Sequence, residues 1–82
     1  MQRFCNILRR QRLLKMLTQR EVAELTGINI SLYQKYEYGL VLPKVINLSL
    51  LARHLEIDMN LLIKAREQEK NPVDILKEKE IA

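Results

Sequence analysis

The chain has 82 residues, of which 48% are hydrophobic and 29% are charged, and its formal net charge is +4. These values are ordinary for a single soluble domain with one modest core. No apolar run approaches the roughly eighteen residues that span a membrane, and no signal-peptide pattern opens the sequence, which argues against a membrane-bound protein.

The residue types favour helices and a reducing compartment. The chain contains two glycines and two prolines, and this scarcity of helix-breaking residues predicts an all-α fold. The lone cysteine, Cys5, has no partner for an internal disulfide, which fits a cytoplasmic protein. No cysteine or histidine stands at metal-ligand spacing, and therefore we predict neither a metal site nor a cofactor.

The positive charge is concentrated in the first part of the chain. Residues 1–35 contain seven lysines and arginines against two acidic residues, or +5, whereas residues 36–82 contain seven against eight, or −1. A basic region is typical of a surface that meets phosphate groups, although a solvated face would carry the same charges.

Residues 3–16 are predicted to form the first helix, because apolar residues recur there at three- and four-residue spacing. This stripe comprises Phe4, Ile7, Leu8, Leu14 and Leu17. The other face is basic and contains Arg9, Arg10, Arg12 and Lys15. For Arg9, Arg10 and Lys15 the pattern is equally compatible with a solubilising role and with a functional one.

Residues 18–39 are predicted to form two short helices joined by a tight turn. Thr18, with Glu21 three residues later, has the capping-box pattern that begins a helix. Gly27 permits the positive φ angle of a sharp turn, and Asn29 or Ser31 can cap the next helix. Such a turn, three or four residues long and containing glycine, is typical of the helix-turn-helix motif, whose second helix enters the DNA major groove.

The second of these helices has two sides. Ile28, Tyr33 and Tyr36 are predicted to point into the core. The outward residues are then Asn29, Ile30, Ser31, Leu32, Gln34, Lys35 and Tyr38. A reading surface for DNA would have to come from this outward set.

Two further helices are predicted after the motif. Residues 44–55 are predicted to form a helix with a buried apolar stripe of Leu48, Leu51, Ala52 and Leu55. Val45 lies one turn before this stripe. Asp58 is predicted to cap the next helix, whose apolar side holds Met59, Leu62 and Ile63. The apolar loop before both helices, residues 40–42, is predicted to pack beneath Pro43, and contact with a partner is the alternative.

We divide the chain into a domain of residues 1–69 and an extension of residues 70–82. The extension has helix-start signals at Asn71, Pro72 and Asp74. Its apolar residues could pack against a symmetry-related copy, which would make it a dimerisation helix. A flexible tail is the alternative, because so short a helix is marginal in water by itself.

A set of spaced residues extends over roughly residues 4–63. Inside the motif it consists of Thr18, Gln19, Val22, Ala23, Gly27, Ile28, Tyr33, Glu37 and Gly39. Outside the motif it consists of Leu8, Arg12, Leu17, Pro43, Leu48, Leu51, Ala52, Leu55 and Ile57. In this spacing the chain resembles the lambda-repressor/Cro-like (Xre-type) helix-turn-helix family. The resemblance implies a five-helix, lambda-repressor-like domain that binds operator DNA as a dimer.

The resemblance also implies which residues meet DNA. The expected base contacts are Asn29, Ile30, Ser31 and Lys35. The expected phosphate contacts are Thr18, Gln19, Gln34, Tyr38 and Lys44. In the family an arginine pairs with a glutamate near the end of the second motif helix, beside the DNA backbone, and here these residues would be Arg12 and Glu37.

The sequence contains no catalytic constellation, so we predict no enzyme activity. The leading hypothesis is a homodimeric, sequence-specific transcriptional regulator, most simply a repressor, that binds a palindromic double-stranded DNA operator. One alternative is an antitoxin that neutralises a toxin and represses its own operon. Another is a protein-binding adaptor that no longer binds DNA, since Ile30 and Leu40 are apolar where the family more often has polar residues.

Overall fold

The computed structural model of the chain describes residues 3–69, and within them it contains five helices and no strand. The helices are α1 (Phe4–Leu14), α2 (Gln19–Thr26), α3 (Ile30–Glu37), α4 (Val45–Leu55) and α5 (Met59–Glu69). The predicted all-α, five-helix fold is therefore confirmed. The predicted extension, residues 70–82 with its short helix, lies outside the described residues.

Local sequence explains where α2 and α3 begin and end. The Thr18 hydroxyl accepts a hydrogen bond from the Glu21 backbone N–H at 3.0 Å, and the Glu21 carboxylate accepts one from the Thr18 N–H at 2.9 Å. This reciprocal pair is the predicted capping box. Gly27 ends α2 with φ of 75°, and the Asn29 side chain caps α3 by accepting a bond from the Ser31 N–H.

One hydrophobic core joins all five helices. Its fully buried members are Phe4, Leu8, Val22, Tyr33, Leu48, Leu51, Leu55 and Leu62. A fully buried side chain of this size stabilises the fold by about 1.5–3 kcal/mol. α1 packs against α3, α4 and α5, while α2 packs against α3 and α4. The α2–α3 pair is therefore supported by α1 on α3 and by α4 on α2.

Several predicted core positions are wrong. Leu14 is 67% exposed because α1 ends at that residue, so the helical spacing no longer brings it to the core. Val45, which precedes the predicted buried stripe of α4, is exposed at the first position of that helix. In the loop, Leu42 packs against the core, but Leu40 and Val41 are exposed, so residues 40–42 do not form the predicted apolar plug beneath Pro43.

The two ends of the described chain meet. The backbone N–H of Phe4, at the start of α1, donates a hydrogen bond to the carboxylate of Glu69, at the end of α5. Arg3 pairs with the same carboxylate at 3.4 Å. Arg3 is itself the N-cap residue of α1 and provides no side-chain cap, so Glu69 fills that role from the other end of the domain.

The helices within residues 3–69 are all too short or too polar to cross a membrane. The longest, such as α1 and α4, have 11 residues.

Two residues with positive φ angles, one a glycine and one not, allow a test of backbone strain in the left-handed region. Gly27 has φ of 75°, and Met16 has φ of 57° with a side chain that is 89% exposed. We expect Gly27→Ala to lower the free energy of unfolding by about 1 kcal/mol, because a Cβ is strained in the left-handed region. Met16→Gly should raise it by up to about 1 kcal/mol for the same reason.

Urea unfolding of both variants measures these changes. A Cβ at Gly27 would have no atom within 4 Å beyond the two neighbouring residues of the chain, so contact with the rest of the fold cannot explain a loss there. Changes of the same sign in the two variants would contradict the strain argument.

Candidate nucleic-acid interface

The turn between α2 and α3 fixes the direction of α3. Ala23 and Ile28 are buried where the two helices meet, and the small Ala23 side chain allows a close approach. Gly27 supplies the left-handed residue between them. The Thr26 hydroxyl donates to the Val22 carbonyl at 2.8 Å and accepts from the Ile28 N–H at 3.3 Å, which ties the turn to α2.

One side of α3 belongs to the core. Tyr33, Tyr36 and Glu37 are buried. The hydroxyl of Tyr36 accepts a hydrogen bond of 2.9 Å from the Asn47 side-chain amide, so α4 is connected to the same side. Leu32, which we predicted to point outward, is half-buried and packs against the core.

The other side of α3 faces solvent. Asn29, Ser31 and Lys35 are exposed, and Ile30 is half-buried beside them. Lys35 lies in the last turn of the helix, where a positive charge is favourable. The four residues that we predicted to contact bases therefore lie along the start and the outer side of α3, and three of them are exposed.

Arg12 and Glu37 lie together and connect α1 to the end of α3. The Glu37 carboxylate is fully buried, and the Arg12 side chain is 13% exposed. Arg12 donates to the carboxylate through Nε, at 2.9 and 3.1 Å, and through Nη2. Its Nη1 donates to the Leu17 carbonyl at 2.9 Å, so this arginine also holds the segment that leads into α2.

A second arginine, Arg9, reaches the same place. Its Nη2 donates to the Glu37 carbonyl at 3.2 Å, and its Nε lies 3.5 Å from a Glu37 carboxylate oxygen. The hydroxyl of Tyr33 is buried beside this carboxylate and has no hydrogen bond of ordinary geometry. Glu37 is thus the centre of a cluster that also contains Arg9, Arg12 and Tyr33.

The environment of Glu37 favours its charged form. Burial by itself raises the pKa of the carboxyl, but hydrogen bonding with Arg12, the nearby Tyr33 hydroxyl and the Arg12 charge outweigh burial. The pKa of Glu37 is therefore lower than its ordinary value of 4.5. Burial also raises the pKa of the Tyr33 phenol, and the Glu37 charge adds to that increase.

Side chains at the start of α2 are linked to α3. The Gln34 amide donates to the side-chain oxygen of Gln19 at 3.2 Å, and both residues are half-buried. The Gln19 amide also lies near the Glu37 carboxylate and helps to lower the pKa of that carboxyl. Thr18 is exposed one residue earlier and uses its hydroxyl oxygen as the cap of α2.

The remaining predicted phosphate contacts lie after α3. Tyr38 is the C-cap residue of α3 and is 54% exposed. Lys44 is exposed and is the N-cap residue of α4, where it makes no side-chain cap. The structure therefore brings Thr18, Gln19 and Gln34 together, and it places Tyr38 and Lys44 at the two ends of the loop that connects α3 to α4.

The basic residues of the described chain fall into two groups. Five of them form ion pairs with acidic residues of the fold, and these are Arg3, Arg9, Arg12, Lys15 and Arg66. Within residues 3–69, Arg20, Lys35 and Lys44 form no ion pair. Much of the charge on α1 therefore serves the fold, while the cations of the motif and the following loop face solvent.

Sequence reasoning missed three features of this surface. It treated Arg9 as either a solubilising or a functional residue and did not foresee its contacts with Glu37. It did not predict the bond between Gln19 and Gln34, and it did not single out Arg20. No local sequence signal marks the first two, because each joins residues that are far apart in the chain.

The described residues contain no group of three or more histidine, cysteine, aspartate or glutamate side chains that could hold a metal ion.

Comparison with known protein families gives one match. A family model described as helix-turn-helix matches residues 8–62. This range starts in α1, ends in α5 and contains the whole of α2, the turn and α3. No curated protein and no solved structure matches the chain significantly.

The Arg12–Glu37 contact predicts strong coupling. Arg12→Met and Glu37→Gln should each lower the free energy of unfolding by about 3 kcal/mol, because each leaves a buried polar group or charge without its partner. Urea unfolding of the two single variants and the double variant should give a coupling energy above about 1 kcal/mol. Arg10→Met is the control, since Arg10 is exposed and forms no ion pair within residues 3–69. A coupling energy near zero would contradict the argument.

The lowered pKa of Glu37 predicts a pH dependence. Its contribution to stability is complete above the ordinary carboxyl pKa of 4.5 and is lost as the pH falls through the lower value in the folded state. We expect the free energy of unfolding to decrease below this pH, and to decrease less in Glu37→Gln. Urea unfolding from neutral pH to about pH 3 measures both curves. Parallel curves would show that another group causes the acid sensitivity.

Proposed function

This chain belongs to the lambda-repressor/Cro-like (Xre-type) helix-turn-helix family and is thus a DNA-binding transcriptional regulator, and we propose that it is a dimeric repressor that binds a palindromic operator. The observation that carries the proposal is the outer side of α3. It is exposed and polar at Asn29, Ser31 and Lys35, while Glu37 at its end is fixed to α1. A helix held in this way can present side chains to base edges in a constant orientation.

We assign the reading of bases to four residues. Lys35 donates to O6 or N7 of guanine, and Ser31 bonds to one of several bases. Asn29, at the start of α3, meets a base or the adjacent backbone. Ile30 packs on a thymine methyl group through the part of its side chain that is exposed.

We assign five further residues to the DNA backbone, and these are Thr18, Gln19, Gln34, Tyr38 and Lys44. Gln19 donates to a phosphate through a side-chain amide N–H, while its side-chain oxygen accepts a hydrogen bond from Gln34. Thr18 lies next to Gln19 at the start of α2, where the helix dipole favours a phosphate. Tyr38 and Lys44 are exposed at the two ends of the loop between α3 and α4, and they contact further phosphates.

A palindromic operator has two equivalent half-sites, and therefore the proposal requires two copies of the protein. A two-fold axis between copies would place their α3 helices about 34 Å apart, which matches one turn of B-DNA. The proposed dimer therefore binds two half-sites on one face of the duplex.

Selection of bound sites from random duplexes tests this function. We expect enrichment of inverted half-sites whose centres are about ten base pairs apart. A single, unsymmetrical site would contradict the dimer. Failure to enrich any sequence would contradict sequence-specific DNA binding itself.

The selected operator then allows a test of readout. Lys35→Ala should weaken binding to it by about 1–3 kcal/mol and relax the preference at one base pair, because the donor to that base is lost. Gln19→Ala should weaken binding to all sequences about equally. Lys64→Ala is the control, as Lys64 is exposed on α5, away from the motif.

Fluorescence anisotropy on the operator, on each single-base variant and on random DNA measures these effects. Equal losses for Lys35→Ala on operator and random DNA would mean that Lys35 does not read a base.

A further inference from the structure

A shallow hollow lies between α2 and the start of α3, and we call it the α2–α3 hollow. Its volume is about 440 Å³. Its lining consists of Arg20, Ala23, Glu24, Gly27, Ile28, Asn29 and Ile30. Two of the residues that we assign to base reading, Asn29 and Ile30, therefore share a surface with a basic residue of α2.

The Arg20 side chain is exposed and makes no hydrogen bond or ion pair within residues 3–69. Two acidic residues are close to it in sequence, but neither pairs with it. The carboxylate of Glu21 bonds to the Thr18 N–H in the capping box. Glu24 stands four residues after Arg20, on the same side of α2, and also lines the hollow.

The stability of α2 does not explain an arginine at this position. Arg20 is in the first turn of the helix, where the helix dipole disfavours a positive charge and favours an acidic one. The same turn already has its favourable acid, Glu21. A cation that lacks a partner and opposes the dipole therefore suggests a ligand that is negatively charged.

We propose that Arg20 binds a DNA phosphate next to the bases that the start of α3 reads. In helix-turn-helix complexes the first helix of the motif crosses the DNA backbone while the second lies in the major groove. Arg20 is on that first helix and borders Asn29 and Ile30 across the hollow. This inference rests on the proposed function and adds a positioning residue that the family resemblance did not include.

Glu24 has the opposite effect in the same place. Its carboxylate lines the hollow and therefore repels a phosphate that approaches Arg20. This gives a second variant whose expected effect has the opposite sign and does not depend on loss of the arginine.

The first experiment measures the affinity of Arg20→Ala for duplex DNA as a function of salt. One lost phosphate contact should weaken binding about tenfold near 0.1 M salt and reduce the slope of log K against log salt by about 0.9. The loss should be equal on operator and random DNA, because a phosphate carries no sequence information. Arg20→Lys should restore most of the slope.

Arg53→Ala is the matched control. Arg53 is also an exposed arginine, but it lies in the last turn of α4, nine residues or roughly 13 Å along the helix from Lys44. This variant should leave the affinity and the salt slope unchanged.

The second experiment replaces Glu24 by glutamine. If a phosphate lies at the hollow, Glu24→Gln should tighten binding about twofold at low salt. Thermal unfolding of every variant checks the fold, and we expect no loss for Arg20→Ala, because Arg20 is exposed.

The outcomes separate this inference from the proposed function. If the unaltered protein does not bind duplex DNA, the proposed function fails. If it binds, but Arg20→Ala keeps the full salt slope and Glu24→Gln has no effect, only the role of Arg20 fails. A loss for Arg20→Ala at a single base pair would also overturn it, since that result indicates base reading.

Discussion

The position of α3 depends on the buried charge of Glu37. A carboxylate with no solvent exposure is costly unless cations and hydrogen bonds surround it. Here the compensating groups come from α1, since Arg12 and Arg9 both reach the end of α3. Any movement of α3 away from α1 would expose or separate these charges. α1 therefore helps to orient the outer side of α3, even though we assign no residue of α1 to a DNA contact.

The same residue type performs different tasks in different parts of the chain. Arg12 is nearly buried and belongs to the fold, whereas Arg20 is exposed and forms no ion pair within residues 3–69. Net charge does not distinguish these cases, because both contribute +1. The distribution of paired and unpaired cations is more informative, because Arg9 and Arg12 of α1 are paired with Glu37, whereas Arg20, Lys35 and Lys44 form no ion pair within residues 3–69.

Local signals were sufficient to predict much of the fold from sequence. The capping box at Thr18, the glycine at Gly27 and the cap at Asp58 each act within four residues and appear in the structure as predicted. The burial of Tyr33 was also predicted correctly from its place on α3. These features depend on neighbouring residues alone, which a pattern in the sequence can express.

The incorrect or missing predictions concern residues whose burial or contacts depend on tertiary structure. Leu14 has the spacing of a core residue but lies at the end of α1 and is exposed. Leu32 was predicted to face solvent from its position on α3, but its side chain packs against the core. The contact between Arg12 and Glu37 spans 25 residues. Spacing could not have revealed it, and the expectation came from the family resemblance. The bond between Gln19 and Gln34 was not anticipated, because it requires the packing of α2 on α3 to be known.

The hydrogen bond between Phe4 and Glu69 makes the start of α1 depend on α5, which is synthesised last among the described helices. The N–H that opens α1 is among the first groups of the described chain to leave the ribosome, and its acceptor follows 65 residues later. Until then the first turn of α1 has no side chain to satisfy its amide groups, since Arg3 does not cap it. Part of the core surface of α1 is also covered by α5, and the rest packs against α3 and α4. The N-terminal end of α1 is therefore completed only when α5, the last helix of the described chain, has been made and has packed against it.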